Sequence, residues 1–236
     1  MLGGQRTGVG VTGTDLVNFR TRTGQARRAR TRRRILEAAF DLFDERGVGR
    51  VTVDQVREAA GLSRGSFYNY FATYESMLID IAGAITRQIN REQSEYFDGE
   101  VDVARRMFQT MRYFLSRAAS DRACSEVLIR VVPLVGAPTV SMHDHARGTM
   151  LAARQAGLID VDNPEIALEV SFGMCSAILR REVMHGVDAQ EISTVVLMVL
   201  RSLGMSAEAM DALKSAPMVK LPGTPLRESV IAGDED

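Results

Sequence analysis

The chain has 236 residues, of which 45% are hydrophobic and 25% are charged, with 29 basic and 30 acidic side chains and no tryptophan. This length and apolar content exclude a wholly disordered chain, and they suffice for one large helical domain or for a small domain joined to a larger one. The sequence contains no apolar run of about 18 residues and no signal-peptide core near its start, so we expect no membrane-spanning helix and a cytoplasmic protein.

Charge is distributed unevenly along the chain. In residues 1–74, 13 arginines oppose seven acidic residues and give a net charge of +6, whereas residues 75–236 carry a net charge of −7. A basic first third on an acidic remainder is typical of a nucleic-acid-binding module attached to a body that does not bind nucleic acid. Helix-forming residues dominate, and we therefore expect an all-α protein.

Residues 1–26 are rich in Gly, Thr and Arg and lack helical periodicity, which predicts a flexible arm. From Arg6 to Arg34 nine arginines face a single acidic residue, Asp15. Two interpretations stay open. The arm is either a solvated tail without a function, or it adds contacts to DNA phosphates or to a minor groove.

An amphipathic helix is predicted from about Arg28 to Arg46. Its apolar residues recur at helical spacing, and Gly47 ends it; they are Ile35, Ala38, Ala39, Leu42 and Phe43. Arg28 and Arg32 lie at its basic start, where we expect them near a nucleic acid.

Residues 52–71, TVDQVREAAGLSRGSFYNYF, contain two helix starts within a dozen residues. Thr52 and Gln55 have the spacing of a capping box, Gly61 supplies a turn, and Ser63 is placed to cap a second helix that runs from Arg64 to about Phe71. This second helix has no Val, Ile or Leu and is mostly polar or aromatic, which indicates a surface role. The pattern is that of a DNA-binding helix-turn-helix.

The run from Ile35 to Leu78, and above all GLSRGSFYNYF at residues 61–71, resembles the DNA-binding domain of the tetracycline-repressor (TetR) family of bacterial transcription regulators. The resemblance covers about 45 residues, and the remainder matches the family in helical character and length. It implies a homodimer in which a three-helix DNA-binding head is followed by a C-terminal helical bundle for ligand binding and dimerisation. We accordingly predict a head at residues 27–74 and a body at 75–215.

The resemblance assigns DNA contacts to a set of side chains in the helix-turn-helix: Thr52, Gln55, Arg64, Ser66, Tyr68, Asn69 and Tyr70. Among them, Ser66 and Tyr70 are expected at phosphates, and Tyr68 and Asn69 at phosphates or base edges. After this helix the family usually has a Lys that binds phosphate, but this chain has Tyr74. A Tyr hydroxyl still donates to phosphate, but it releases no counterion, so we expect this contact to have a weaker salt dependence.

Beyond Phe71 the sequence predicts a succession of helices. A long helix from about Met77 ends by Phe97-Asp98-Gly99, and residues 133–138 form a loop. The other predicted helices are residues 103–119, 122–132, 139–155, 164–185, 188–203 and 207–214. Residues 216–236 are predicted to be a flexible tail.

The helices at residues 164–185 and 188–203 have apolar faces larger than one monomer is expected to cover, so we predict that they form the dimer interface. The alternative is that both are internal core. Candidate ligand-contacting side chains are the Met and Phe residues of the body, which favour an apolar or aromatic ligand but fit a plain core equally well. They are Met107, Phe108, Met111, Phe114, Met142, Met150, Phe172 and Met174.

No catalytic, cofactor or metal motif is present, and we expect no cofactor. His143 and His145 do not form a chelating pair, because residues two apart on a helix point away from each other. Cys124 and Cys175 are expected to be small buried side chains.

Together these features predict a dimeric, ligand-responsive transcriptional regulator, more specifically a repressor that a small molecule releases from a palindromic operator. Two alternatives remain. One is a nonspecific DNA-organising protein that depends on the arginine-rich arm, and the other is a helical carrier or enzyme with a vestigial head.

Overall fold

A computed structural model describes the backbone of residues 13–97, 99–134 and 141–233, and the side chains of residues 24–97, 99–134 and 143–233. The described residues form eleven α-helices and no strand, which confirms the all-α prediction. The helices are α1 Gly13–Arg46, α2 Val53–Ala59, α3 Arg64–Tyr68, α4 Tyr74–Phe97, α5 Val103–Ala119, α6 Arg122–Val131, α7 Ser141–Gln155, α8 Pro164–His185, α9 Ala189–Ser202, α10 Ala207–Leu213 and α11 Leu226–Ala232.

Several predicted features lie outside the described residues. They are residues 1–12 of the arm, Asp98, residues 135–138 of the predicted loop, the side chain of Met142, and the terminal residues 234–236.

The first helix is longer than predicted, because α1 begins at Gly13 rather than near Arg28. The apolar stripe that located its start marks the buried part of the helix, which begins with Ile35 and Leu36. The side chains of residues 24–30 are all exposed. A polar helix of this kind gives no hydrophobic periodicity, so residues 13–26 were wrongly expected to be non-helical.

The head consists of the second half of α1 with α2 and α3, packed around the fully buried residues Ile35, Leu36, Val56 and Phe67. Both predicted caps of the helix-turn-helix are present. Thr52 and Gln55 form the capping box, and the Ser63 side chain accepts from the Ser66 backbone N–H. Gly61 has φ +64°, a conformation that favours glycine, at the turn between the two helices.

Helices α4 to α9 pack against one another as the body, and α4 runs from the head into it. The boundaries predicted for α5 and α8 agree with the structure, and Asn163 caps α8 ahead of Pro164. Among the described residues, no helix is long and apolar enough to span a bilayer.

The C-terminal segment differs from the flexible tail that was predicted. Residues 226–232 form α11, which packs against α1 and α4 with Leu226 and Val230 buried. The prolines at 217, 222 and 225 interrupt the helical hydrophobic periodicity, and for that reason the sequence predicted a flexible segment. The spacing of Leu226 and Val230 on one helix face was the signal that could have revealed it.

Candidate nucleic-acid interface and ligand cavity

The surface of α3 combines a rigid base with exposed polar groups. Phe67 is fully buried in the head, and its ring meets that of Tyr68 edge-on at a centroid distance of 5.8 Å. Tyr68 is 43% exposed, and Arg64 and Asn69 are exposed as well. The Tyr68 hydroxyl has no hydrogen-bond partner among the described side chains and backbone groups. Three predicted DNA-contacting side chains are therefore presented to solvent by α3 and its C-cap residue Asn69.

The regular helix ends at Tyr68, three residues earlier than predicted. Asn69 still has helical backbone angles, φ −71° and ψ −14°, and its N–H bonds to the Gly65 carbonyl at 3.2 Å. Tyr70 and Phe71 continue the turn by donating their N–H groups to the Phe67 carbonyl. Asn69 and Tyr70 thus extend the same surface in a tighter turn.

The hydroxyl groups at the helix starts are already partly engaged. Thr52 accepts a hydrogen bond from the Gln55 N–H, while the Gln55 side-chain oxygen accepts from the Thr52 N–H. Ser66 and Ser63 share a hydrogen bond of 2.8 Å between their hydroxyls. A hydroxyl that accepts a hydrogen bond retains its own proton, so the exposed Thr52 remains able to donate to a phosphate.

Arg28 lies beside the surface formed by α3 and the turn that follows it, whereas Arg32 is held in an ion pair with α4. The Arg28 guanidinium is 5.8 Å from the centre of the half-buried Tyr70 ring, a cation–π distance that brings α1 next to the turn after α3. Arg32 forms an ion pair with Asp80 of α4 at 2.5 Å. This ion pair joins α1 to α4, and because it engages the Arg32 guanidinium within the protein, we do not propose Arg32 as a DNA contact.

The structure contradicts the DNA contact that the sequence predicted for Tyr74. Its hydroxyl donates to the Val48 carbonyl at 2.7 Å, and burial raises its pKa to about 12. A hydroxyl has one proton, and this one is used inside the protein. Phosphate oxygens accept hydrogen bonds and do not donate them, so Tyr74 cannot donate to DNA while this bond persists. Its role is to join the start of α4 to the turn after α1.

A candidate contact that the sequence prediction missed lies at the start of α4. The Thr73 hydroxyl accepts from the Ser76 N–H, and the Ser76 hydroxyl accepts from the Thr73 N–H, each at 3.0 Å. This reciprocal cap places the exposed Thr73 at the N-terminus of the 24-residue helix α4, separated from α3 by residues 69–72. The Thr-x-x-Ser spacing was visible in the sequence and could have identified it.

The body contains a cavity of about 140 Å³ bounded by α4, α5, α6, α7 and α8. Five of the predicted ligand-contacting side chains line it: Met107, Met111, Phe114, Met150 and Phe172. Phe172 also stacks on His143 with ring centres 5.9 Å apart.

Two predicted ligand contacts do not line this cavity. Phe108 is 1% exposed and lies under the guanidinium of Arg112, on the other face of α5. Met174 is partly buried on α8, also away from the cavity. Sequence spacing could not separate these faces, because core and cavity-lining positions on a helix are equally apolar.

Next to this inner cavity lies a second, more open pocket of about 490 Å³. The two spaces share five polar lining residues, which are Asn90, Gln93, Thr110, His145 and Thr149. Gln93 is held in place by donating to the Thr110 carbonyl at 2.8 Å. His145 is therefore a residue of the cavity rim, and no group of three potential metal ligands occurs among the described residues. Cys175 lines the inner cavity, and burial raises the pKa of its thiol to about 12.

Helices α8 and α9 expose an apolar surface. Met184 is 70% exposed and Met198 55% exposed, and Ile166 and Val170 are also at least half exposed. An isolated monomer rarely leaves several large apolar side chains in water on two adjacent helices.

Comparison with known proteins extends these observations. Residues 35–81 match the family model of the bacterial regulatory proteins of the tetR family. The chain is 25% identical over 132 residues to an uncharacterised HTH-type transcriptional regulator of Mycobacterium tuberculosis, found in strains CDC 1551 and H37Rv. The match covers 56% of this chain and spans only 63% of the length of those relatives.

Solved structures share the fold over a longer range. RolR in complex with resorcinol has a TM-score of 0.67 and 22% identity, covering 84% of this chain and all of that one. FadR from Bacillus subtilis in complex with stearoyl-CoA has a TM-score of 0.54 and 20% identity, covering 71% of this chain and 96% of that one. At these identities the similarity shows the fold alone.

Proposed function

We propose that this chain, which belongs to the TetR family of bacterial regulators, is a dimeric repressor that binds a palindromic operator and is released by a small aromatic ligand. The observation that carries the DNA-binding part is the surface of α3, where Tyr68 and Asn69 are exposed above the buried Phe67. Hydrogen-bonding groups on a helix anchored in this way enter a major groove and meet base edges and phosphates.

The DNA contacts that we propose are Thr52, Gln55, Arg64, Ser66, Tyr68, Asn69 and Tyr70, with Arg28 from α1 and the newly identified Thr73. Arg64 and Arg28 are the charged members, since Arg57 is paired with Asp54 at 2.6 Å and Arg34 donates to the Ala60 carbonyl. Arginine side chains supply the salt-dependent part of the affinity, and Tyr68 and Asn69 supply base preference.

The apolar surface of α8 and α9 supports a dimer in which the two copies bury Ile166, Val170, Met184 and Met198 against each other. A two-fold axis through this surface presents two copies of α3, which suits an operator with two half-sites. We propose residues 75–215 as the body that carries this interface and residues 27–74 as the head.

The cavity supports a ligand with a single aromatic ring. A cavity of about 150 Å³ lined by apolar side chains holds one benzene molecule, and the inner cavity of this protein is of similar volume, about 140 Å³. Gln93, Thr110 and Thr149 at its rim offer hydrogen-bonding groups for a ring hydroxyl. RolR binds resorcinol, a ring with two hydroxyls, and resorcinol is thus a suitable first probe.

Helix α4 links the ligand cavity to the head. Helix α4 lines the cavity through Asn90 and Gln93, and the hydroxyl of its first residue, Tyr74, donates a hydrogen bond to the Val48 carbonyl of the head. A shift of α4 on ligand binding would therefore move the heads relative to each other.

DNA binding is tested by selecting bound sequences from random duplex DNA with the full-length protein. We expect enrichment of a palindrome, and we expect the double variant Tyr68→Ala/Asn69→Ala to remain a folded dimer but to lose that preference. A vestigial head would give no enrichment with either protein. A nonspecific DNA-organising protein would bind without sequence preference, and deletion of residues 1–26 would abolish its binding.

The cavity is tested by calorimetry with resorcinol. Met111→Trp fills the space that the ring would occupy, whereas Leu151→Trp adds the same side chain at an exposed position of α7 outside the cavity. We expect resorcinol to bind the wild type and the Leu151 variant but not the Met111 variant. Equal heats of resorcinol binding for all three proteins would show that resorcinol does not bind in this cavity.

A further inference from the structure

Residues 216–233, which we term the C-terminal strap, are attached to the body by two buried arginines of α5. Arg112 donates to the carbonyls of Ala216 and Pro217, and Arg117 donates to the Thr224 carbonyl at 2.9 Å. Arg117 is 2% exposed; its Nε and Nη2 atoms also donate to Glu92 of α4, and its Nη1 donates to the Ser120 hydroxyl. Buried guanidinium groups need such acceptors, so the strap is an integral part of the body.

The far end of the strap reaches the head. Leu226 and Val230 are buried where α11 packs against α1 and α4. Since the second half of α1 belongs to the core of the head, α11 fills the junction between head and body. A short helix with two fully buried side chains at this junction restricts how α1 can tilt.

Arg227 joins the two parts through charge. Its Nε and Nη2 atoms donate to both carboxylate oxygens of Asp121, the N-cap of α6 in the body, at 2.6 and 2.9 Å. The same guanidinium also pairs with Asp44 near the end of α1, with Nη2 to Oδ1 at 3.1 Å, and lies 5.6 Å from the centre of the Phe40 ring. One side chain from the strap thereby binds a carboxylate on each side of the junction.

We propose that the C-terminal strap, through Arg227, fixes the position of the head on the body and thereby sets the separation of the two half-sites that the dimer accepts. The second part rests on the proposed binding of a palindrome, because two heads must meet successive major grooves about 34 Å apart. Small rotations at the junction change that separation, and a head that is held in one position rejects operators of the wrong length.

The docking of the head is tested by hydrogen–deuterium exchange on the full-length protein without ligand or DNA. Asp44→Asn removes the head-side charge at an exposed position and keeps the Arg227–Asp121 pair, whereas Arg227→Gln removes both. The matched control is Arg147→Gln, which breaks an ion pair between α7 and α8, away from the head. We expect α1 and α2 to exchange about threefold to tenfold faster in the first two variants, with α9 unchanged and the control like the wild type.

The spacing is tested with the palindrome that the wild type selects and with a version that has one extra base pair at its centre. We expect the ratio of the two affinities to fall at least about threefold in Asp44→Asn and Arg227→Gln, and not in Arg147→Gln. A loss of affinity for both DNAs by the same factor would indicate a merely structural role and would overturn the proposal, as would unchanged exchange in the head.

The two proposals fail in different ways. If the wild type selects no palindrome, the proposed function is wrong, and the exchange experiment still decides whether the strap holds the head. If the wild type discriminates between the two spacings and both strap variants do so equally well, the function stands and the strap inference is wrong.

Discussion

The role of Tyr74 can be decided by the single substitution Tyr74→Phe, because the sequence and the structure predict opposite results. The structure has the Tyr74 hydroxyl donating to the Val48 carbonyl at 2.7 Å in a half-buried position. Phenylalanine keeps the ring and removes that donor. The Val48 carbonyl then loses its side-chain partner, which costs about 1 to 2 kcal/mol of unfolding free energy.

The matched substitution is Tyr68→Phe. Tyr68 also loses a hydroxyl, but this hydroxyl is exposed and has no partner within the described part of the chain. We therefore expect urea unfolding to show about 1 to 2 kcal/mol of destabilisation for Tyr74→Phe and less than about 0.5 kcal/mol for Tyr68→Phe. Fluorescence anisotropy with the selected palindrome should show the reverse order, with weaker binding by Tyr68→Phe alone.

Salt dependence provides an independent check on the same pair of variants. Neither substitution removes a positive charge, so the slope of log affinity against log salt should stay at the wild-type value for both. A Tyr74→Phe protein with unchanged stability and weakened DNA binding would refute the structural role and restore the phosphate contact predicted from the sequence.

Three further results are expected. Arg117→Met leaves the buried Glu92 without its cation and should lower the unfolding free energy by roughly 3 to 5 kcal/mol, with partial recovery when Glu92→Gln is added; strictly additive losses would contradict this. In an alkaline absorbance titration, Tyr74 and Tyr113 should stay protonated to about pH 11, since burial raises the pKa of Tyr74 to about 12 and also that of Tyr113. Both pKa values are raised, so folding stability should fall as pH rises above about 10, and ionisation of all five tyrosines near pH 10 in the folded protein would disagree. Burial raises the pKa of Asp121, but hydrogen bonds from Arg227 and from the Cys124 N–H outweigh it and the pKa is lowered. The stability difference between wild type and Arg227→Gln should thus be constant from about pH 8 to 5 and shrink below about pH 4, as Asp121 becomes protonated, and a difference that grows in acid would contradict the ion pair.

The local features of the head could be predicted from the sequence because their causes are local. The capping box at Thr52 and Gln55, the glycine turn at Gly61 and the cap at Ser63 depend on residues within three or four positions of one another. The exposure of Tyr68 and Asn69 followed from a helix that has a single buried aromatic residue, Phe67. Helices α5 and α8 also begin at local caps, Asp102 and Asn163.

The remaining features depend on contacts between distant residues. The partner of Tyr74 is the carbonyl of Val48, 26 positions earlier, and the partners of Arg227 lie 106 and 183 positions away. No periodicity encodes such pairings. The cavity presents the same difficulty, because Met107 and Phe108 are adjacent apolar residues of one helix and only the first faces the empty space.

The most direct test of the account is a hydroxyl-radical footprint of the full-length protein on the palindrome that it selects. We expect two protected half-sites with centres about one helical turn apart, placed symmetrically and lost together in Tyr68→Ala/Asn69→Ala. Continuous protection without two-fold symmetry, or the same protection with the double variant, would contradict a dimer that reads DNA through α3.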